Sequence, residues 1–273
     1  MAVAEDGSYV GSFSGGCVET AVVAEAVEVM KSGMPREVRF GAGSKYLDIH
    51  LPCGGGIDLL FSPLQDASFV EKVLAFAENR LPVSIILDSA SLSVSCSQTS
   101  EPKSVSRDGT KVSITHIPAA KLNIFGHGAS LLSLANIAKA YGLTTEVFSP
   151  DQDIVADVQQ NAGSATLLKT PAALKQFKVD RWTACIFYFH DHDWEVALMK
   201  QALESPAYYV GAMGSLITHE TRKKTLLETG VEPGDIARMI APIGLIPSSR
   251  DPETLALSTL AQVVEIYHEL NGT

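Results

Sequence analysis

The amino-acid sequence predicts an α/β protein in two parts, an α+β domain followed by a domain built on a doubly wound parallel sheet. The length of 273 residues fits two domains of ordinary size, about 150 residues each. Hydrophobic residues make up 46% of the chain and charged residues 19%, which is enough apolar material for buried cores and unlike a disordered chain. From Leu122 onward, apolar strands alternate with glycine turns and helical segments, a pattern typical of parallel sheets with crossover helices.

The first part, residues 1–118, has the mixed pattern of an α+β domain. Apolar residues at helical spacing mark its helices, and Gly33 follows the first helix as a stop signal. Asp108-Gly109 between two alternating segments predicts a hairpin. The expected elements are a strand over Ser8–Phe13, a helix from about Val18 to Lys31, strands over Arg36–Phe40 and Ile57–Phe61, a helix over Phe69–Asn79, and strands over Val83–Leu87, Ser91–Ser95 and Lys111–His116. We place the domain boundary in the segment Ile117–Lys121, which contains Pro118.

The second part, residues 121–273, follows the order strand, turn, helix. Its first unit is expected to be a strand over Leu122–Phe125, the turn Gly126-His127-Gly128, and a helix over Ser130–Tyr141 that ends at Gly142. Further strands are expected over Thr144–Phe148, Thr183–Phe189 and Tyr208–Val210. A final helix over Pro252–Leu270 should begin with Asp251 as its N-cap.

Charge and cysteine content exclude several classes of protein. Thirty-one acidic against 21 basic residues give a net charge of −10, which argues against a nucleic-acid partner, because phosphate backbones are bound by clustered Lys and Arg. No apolar run is long enough to span a membrane, and residues 1–6 do not have the pattern of a signal peptide. The four cysteines include no C-x-x-C pair, which fits neither a zinc site nor a disulfide framework and favours a reducing, cytoplasmic setting.

The turn Gly126-His127-Gly128 has the first part of a dinucleotide-binding fingerprint. It lies between a strand and a helix, where glycines allow phosphate to approach the backbone amides. The third glycine position of that fingerprint is Leu131, and the position expected for a ribose-binding acid is Ser149, with Asp151 two residues later. A Rossmann-type domain that does not bind NAD(P) is therefore an equal alternative.

Two cysteines lie beside glycines in the first part of the chain. In the string Ser14-Gly15-Gly16-Cys17-Val18-Glu19, the glycines can form a nest of amides at the start of a helix, Ser14 can cap it, and a thiol at that place should have a lowered pKa. Cys53-Gly54-Gly55-Gly56 is a second such loop. The alternative is that Cys17 is only a small residue packed at the start of the helix. We expect Cys96 and Cys185, which lie in predicted strands, to have such a packing role.

Polar clusters follow two later strands. His190-Asp191-His192-Asp193 comes after an apolar strand, and we interpret it as pocket lining rather than a zinc site, with Asp193 as a helix cap. Gly211-Ala212-Met213-Gly214-Ser215 is expected to be another glycine turn at the same sheet edge, and His219, Arg222, Lys223 and Lys224 to form a basic patch on the next helix, with a solvated face as the alternative for the lysines.

Taken together, these strings resemble the xanthine dehydrogenase accessory factors of the XdhC/CoxI type. The resemblance rests on the Ser14–Glu19 string, Cys53-Gly54-Gly55, Phe125–Gly128, Phe189–Asp193, Tyr209–Ser215 and Ala241–Leu245, and it covers nearly the whole chain. It implies a protein that binds molybdenum cofactor, assists its sulfuration and delivers it to a molybdenum hydroxylase of the xanthine dehydrogenase type. A cysteine desulfurase would be a further partner.

The resemblance also implies the site. The residues expected to bind the cofactor are Ser14, Gly15, Gly16, Cys17, Glu19, Cys53, Gly54, Gly55, Gly126, His127, Gly128, His190, Asp191, Gly214 and Ser215. Cys17 or Cys53 would approach molybdenum or carry sulfur, and the phosphate would meet amides at Gly15-Gly16 or Gly126–Gly128. No catalytic residue is implied, and a cofactor chaperone is favoured over a turnover enzyme.

Two alternatives to that function remain open at this point. One is an NAD(P)-dependent oxidoreductase with His190 or His192 as acid or base, and the other is a scaffold that binds no cofactor. The family usually has a helix and a strand ahead of the Ser8–Phe13 segment, so the chain is expected to be N-terminally short. An uncovered strand at that place would favour a homodimer.

Overall fold

The structure is a computed structural model of the chain, in which two compact units, Met1–Pro118 (unit 1) and Ala119–Thr273 (unit 2), are distinguished. It describes residues 1–13, 15–16, 18–46, 51, 53–64, 66–91, 93–100, 104–161, 163–170, 177–189, 192–249 and 251–272, with only the backbone of His192 and Asp193. The predicted α/β fold class is confirmed. Among the helices described, none is long and apolar enough to cross a bilayer.

Unit 1 combines short antiparallel sheets with two helices. Its elements in chain order are β1 (Ala2–Val3), β2 (Tyr9–Val10), α1 (Glu19–Ser32), β3 (Arg36–Gly41), β4 (Gly56–Phe61), α2 (Ser68–Glu78), β5 (Val83–Asp88), β6 (Ser93–Gln98), β7 (Ser104–Asp108) and β8 (Lys111–His116). The strands form the pairs β1-β2 and β3-β4 and a four-stranded sheet in the order β6-β5-β8-β7. The hairpin predicted at Asp108-Gly109 joins β7 to β8.

The core of unit 1 lies between α1 and the β3-β4 pair. Val18, Val22 and Val29 form one apolar stripe on the helix side, as the spacing predicted. They pack against side chains of the two strands, namely Val38, Phe40, Leu59 and Phe61. The helix ends at Gly33, whose φ of 67° is left-handed, the conformation for which glycine is preferred at this position.

Two strands of unit 1 differ from the prediction. Only Tyr9–Val10 of the Ser8–Phe13 segment is a strand, because the N–H of Phe13 is donated to the Glu19 carboxylate instead of a neighbouring strand. The strand expected at Ser91–Ser95 is β6 at Ser93–Gln98, where Ser93 pairs with Asp88 across the connecting turn. Ser91 is a turn residue, so the pairing of β6 with β5 begins only at Ser93.

Unit 2 is a parallel sheet with helices between its strands. Its elements are β9 (Lys121–Gly126), α3 (Ala129–Tyr141), β10 (Thr144–Ser149), α4 (Gln152–Gln160), β11 (Ser164–Leu167), β12 (Thr183–Tyr188), α5 (His192–Leu203), β13 (Tyr209–Ala212), α6 (Leu216–Glu228), α7 (Pro233–Ile236), β14 (Met239–Ile240) and α8 (Pro252–Asn271). The six strands lie in the order β11-β10-β9-β12-β13-β14, and every pair is parallel.

Apolar side chains cover both faces of this sheet. Leu122 and Ile124 of β9 belong to a cluster with α3 and α8, whereas Phe125 of the same strand belongs to a cluster with α5 and α6. The chain order changes direction between β9 and β12, which is the switch point where doubly wound sheets bind ligands. A ligand site is therefore expected at the carboxyl ends of β9, β12 and β13.

Strand β13 runs to Ala212, so the predicted glycine turn at Gly211–Ser215 is wrong at its start. Gly211 and Ala212 pair with β12 inside the sheet, and the turn begins at Met213. A Cβ on Gly211 would lie only 2.8 Å from the Ile243 side chain, so this glycine allows close packing within the sheet rather than a turn.

Candidate functional site

The glycine turn before α1 is organised by the Glu19 carboxylate. Glu19 is only 3% exposed, and it accepts hydrogen bonds from Ser12 Oγ at 2.5 Å, Phe13 N at 3.0 Å, Gly16 N at 2.9 Å and Val18 N at 3.1 Å. Gly15 N donates in turn to Ser12 Oγ at 3.0 Å. The turn is thus folded around a charge that belongs to the chain itself.

This arrangement corrects one expectation for the turn. The amides of Gly15 and Gly16 already have acceptors inside the protein, so they are not the open phosphate nest that the glycines suggested. Val18 holds the N-cap position of α1 and makes no capping bond with its side chain. Ser14 and Cys17 themselves lie outside the described residues.

Cys53 lies on the connection between β3 and β4, whose two ends are pinned together. Gly41 pairs with Gly56, and Ala42 N donates to Gly55 O at 2.9 Å. A Cβ on Gly41 would lie 2.5 Å from that same carbonyl oxygen, so only glycine allows the two backbones to come this close. Cys53 is exposed. The next two residues, Gly54 and Gly55, have no side chains that could cover the backbone beside it.

A second buried carboxylate of α1, that of Glu25, binds residues of the connection between β3 and β4. Glu25 is 8% exposed and accepts from Arg36 Nη1 at 3.1 Å, Lys45 Nζ at 2.8 Å and the hydroxyl of Tyr46. The ring of Tyr46 stacks on Phe40 with centroids 5.1 Å apart, which ties this contact to the core. Both glycine-rich segments of unit 1 are therefore attached to one helix.

In unit 2, the turn Gly126-His127-Gly128 joins β9 to α3 as predicted. A Cβ on Gly126 would lie 2.5 Å from the carbonyl oxygen of Tyr188 in β12, so this glycine permits close packing of two central strands. Gly128, with a φ of 85°, is the N-cap of α3 and has no side chain with which to cap it. The His127 ring meets Phe189 edge to face at 5.9 Å.

A cavity of about 710 Å³ opens at the carboxyl edge of the sheet. It brings Gly214 together with Ala129 and Ser130 at the start of α3. The rest of its lining includes residues outside the predicted cofactor-binding set, among them Gly244, Ser248, Ser249 and Leu255. Ser215 caps α6 by accepting from Thr218 N and is not part of the described lining. The three residues of the turn Gly126-His127-Gly128 are not part of it either.

The expected basic patch on α6 is wrong for two of its members. His219 and Arg222 are both 2% exposed, and Arg222 forms a two-pronged ion pair with the buried Glu195 of α5, both bonds being 2.9 Å. Arg222 also donates to the carbonyl of Met213 at 3.0 Å, which fixes the start of the turn that leads to Gly214. Lys223 and Lys224 are exposed and pair with glutamates of the same helix.

The imidazole of His219 is neutral at physiological pH. Burial and the neighbouring Arg222 charge lower its pKa from 6.5 to about 4. Arg222 Nη1 contacts His219 Nδ1, and because arginine only donates, Nδ1 is the acceptor and Nε2 carries the proton. Spacing gave a clue to this burial, since His219, Arg222 and Leu226 form one stripe on the helix.

The residues that would bind an NAD(P) ribose are otherwise engaged. Ser149 ends β10 and is fully buried, and the side chain of Asp151 caps α4 by accepting from Asp153 N and Ile154 N. Leu131, at the third position of the fingerprint, lies in the core. These contacts disfavour the oxidoreductase alternative.

Several predicted site residues are outside the description. His190 and Asp191 are among them, as are the side chains of His192 and Asp193. Since α5 begins at His192, Asp193 lies in its first turn and is not its N-cap. Within the described part of the chain, no group of three His, Cys, Asp or Glu residues is placed to hold a metal. Cys185 is buried as predicted, and burial raises the pKa of its thiol.

Comparison with known proteins gives consistent matches for both units. Residues 122–263 match the XdhC Rossmann domain, and residues 1–41 match the XdhC and CoxI family. The molybdenum cofactor insertion chaperone PaoD of Escherichia coli K12 is 36% identical over 266 residues, which cover 97% of this chain and 77% of PaoD. YqeB of the same organism, an uncharacterized protein, is 23% identical over 279 residues, which are 100% of this chain and 41% of YqeB.

The fold is also found in a solved structure. The crystal structure of a xanthine dehydrogenase from Bacillus halodurans superposes with a TM-score of 0.72 at 22% identity. The match covers 98% of this chain and 85% of that chain. At this level of identity the likeness concerns the fold.

Proposed function

This chain belongs to the XdhC and CoxI family, and on that premise we propose that it is an accessory protein that binds molybdenum cofactor. It would assist the sulfuration of the cofactor and its insertion into a molybdenum hydroxylase of the xanthine dehydrogenase type. The similarity to PaoD, a molybdenum cofactor insertion chaperone, supports a role of this kind. The cofactor is cargo here rather than a resident group, so the chain needs to hold it and release it.

The observation that carries the proposal is the pinned connection that exposes Cys53. A thiolate is a soft ligand of the kind that suits a metal bound by sulfur. The bare backbone at Gly54 and Gly55 lets a bulky group approach the sulfur, and the contacts of Gly41 and Glu25 keep the base of the connection in place. Cys17 stays a second predicted ligand.

Unit 2 has a cavity of its own that suits an anionic group such as a phosphate. The start of α3 lines the 710 Å³ cavity, and helix starts offer free N–H groups and a favourable dipole to anions. Gly128 adds no side chain of its own. Gly214 and Ser130 line the same cavity. The use of Asp151 Oδ1 as the cap of α4 supports selectivity against NAD(P).

Partners and setting follow from the same proposal. A molybdenum hydroxylase is the proposed recipient, and a cysteine desulfurase is the proposed source of sulfur for Cys17 or Cys53 in the cytoplasm. A homodimer is proposed from the uncovered apolar residues of β2, where Val10 is 70% exposed. Light scattering that finds a monodisperse monomer at micromolar concentration contradicts the dimer.

The function is tested by metal content and ligand binding. We expect protein purified from a molybdate-supplied host to contain molybdenum and to bind purified molybdopterin, with no binding of NADH or NADPH. Cys53→Ser should lower molybdenum retention at least about tenfold, since the soft ligand is lost while the loop keeps its fold. Cys96→Ser, in strand β6, is the matched control. Tight NADH binding without molybdopterin binding contradicts the proposal.

A further inference from the structure

The Glu19 carboxylate occupies the place that an anionic ligand would take in the turn before α1. N–H groups of Phe13, Gly16 and Val18 point at its two oxygens, all within 3.1 Å. Converging backbone amides at a helix start are the usual means of binding a phosphate. Here the same donors are satisfied by a side chain of the helix itself, and that side chain is buried.

A second anion would find little to bind at this turn. The Gly15 amide is also engaged, because it donates to Ser12 Oγ, which in turn donates to Glu19. A phosphate brought close would be repelled by the carboxylate charge without gaining a free donor from these amides. Gly15 and Gly16 have left-handed φ values of 72° and 118°, a conformation for which glycine is preferred.

We propose that Glu19 is a positioning residue and an internal substitute for phosphate, so that this turn does not bind the phosphate of the cofactor. The role of Glu19 in the turn does not depend on the proposed function, whereas the statements about the cofactor rest on it. The turn would face the metal-and-sulfur end of the cofactor, and the phosphate would be bound elsewhere in the chain. This assigns Glu19 a different role from the direct cofactor contact that the sequence suggested.

The test is whether removing the carboxylate creates an anion site. In Glu19→Ala, free acetate or formate should refill the vacated position and raise the unfolding temperature. At a ligand concentration about ten times the dissociation constant, we expect a rise of about 3–6 °C beyond that produced by equal ionic strength of chloride. Wild type and Glu28→Ala, which lacks an exposed acid on the same helix, should show no such excess. Equal responses of all three proteins overturn the proposal.

A measurement on the wild-type protein covers the case in which Glu19→Ala does not fold. With glycine labelled by ¹⁵N, the amide signals of Gly15 and Gly16 should not move when inorganic phosphate is added. A saturable shift at these two amides overturns the proposal. The side-chain amide of Glu19→Gln has one oxygen, which can accept from Phe13 N or from Gly16 N but not from both. Hydrogen exchange should therefore accelerate at least about tenfold at Phe13 or at Gly16. Unchanged exchange at both amides would also overturn it.

None of these measurements uses molybdenum cofactor. If the chain binds no cofactor, the anion test still decides the role of Glu19. If the chain binds cofactor but Glu19→Ala shows no anion rescue, the proposed function stands and the positioning role fails. Molybdopterin binding to Glu19→Ala in the presence and absence of acetate links the two results, with recovery by acetate expected.

Discussion

Unit 1 and unit 2 fix their glycine turns by different means. In unit 1, Glu19 and Glu25 of a single helix hold the turn at Gly15-Gly16 and the connection that carries Cys53. In unit 2, Gly126 is fixed by close packing against the β12 backbone, and a buried ion pair secures the turn after β13. Turns of the first kind depend on a few side-chain hydrogen bonds, whereas turns of the second kind depend on the sheet.

The largest effect is expected from breaking the ion pair of unit 2. Arg222→Met removes the guanidinium from the buried Glu195 carboxylate, which should lower the free energy of unfolding by about 3–5 kcal/mol. Urea unfolding measures the loss, and Lys223→Met on the exposed face of α6 is the control. Combining Arg222→Met with Glu195→Met should recover much of the stability, because neither charge of this pair then remains buried. A single variant as stable as wild type would mean that this pair does not hold the turn.

Acid should weaken unit 2 through His219. The folded protein binds the proton only near pH 4, whereas the unfolded chain binds it near pH 6.5. The unfolded state therefore takes up more protons in this window, and the free energy of unfolding falls as the pH drops from about 6.5 to 4, by about 3 kcal/mol at most. His219→Gln removes this contribution. Unfolding curves of the two proteins that change in parallel from pH 7 to pH 4 would contradict the assignment.

Unit 1 should respond locally to the loss of Glu25. In Glu25→Gln the attraction for Arg36 and Lys45 is lost, and we expect the unfolding free energy to fall by about 1–2 kcal/mol. Hydrogen exchange should accelerate in residues 41–46 and 53–56 and stay unchanged around Gly126. Glu28→Gln, an exposed acid of the same helix, serves as the control. Equal acceleration in both units would remove the distinction between them.

The smallest effect on stability is expected at Cys53. Its thiol is exposed, so Cys53→Ser should change the unfolding free energy by less than about 0.5 kcal/mol. Cys185 lies in the core of unit 2, and Cys185→Ser should cost about 1–3 kcal/mol because it buries a hydroxyl in an apolar cluster. Alkylation by iodoacetamide should label Cys53 well before Cys185. Comparable labelling rates would show that the two thiols are not distinguished by burial.

The sequence predicted unit 2 more closely than the site of unit 1. The alternation of buried strands and amphipathic helices located β9, α3, β10 and α8 to within one or two residues. The short strands β11 and β14 were not predicted, because four and two residues are too few to show a period. Their place depends on the neighbouring strands of the sheet.

Side-chain partners that are distant along the chain were beyond sequence reasoning. Glu19 was placed correctly in the first turn of α1, but its hydrogen bonds to Ser12 and Phe13 depend on how the preceding segment folds back. The pairing of Arg222 with Glu195 spans 27 positions and left no local pattern except the helical spacing of His219, Arg222 and Leu226. Charged residues were therefore interpreted as surface, although burial with a partner changes their role.

Because Gly41 pairs with Gly56, the hairpin of β3 and β4 does not depend on the length of the segment between them. Because β3 and β4 already bring the two ends together, inserting residues between them adds only the slowly growing entropy of a longer closed chain, about 0.6 kcal/mol for each doubling. Natural variation and engineering can thus change the length of the part around Cys53, provided that Lys45 and Tyr46 keep their contacts with Glu25. Exchanging that part between related proteins, with its flanking glycines, tests whether it sets ligand specificity.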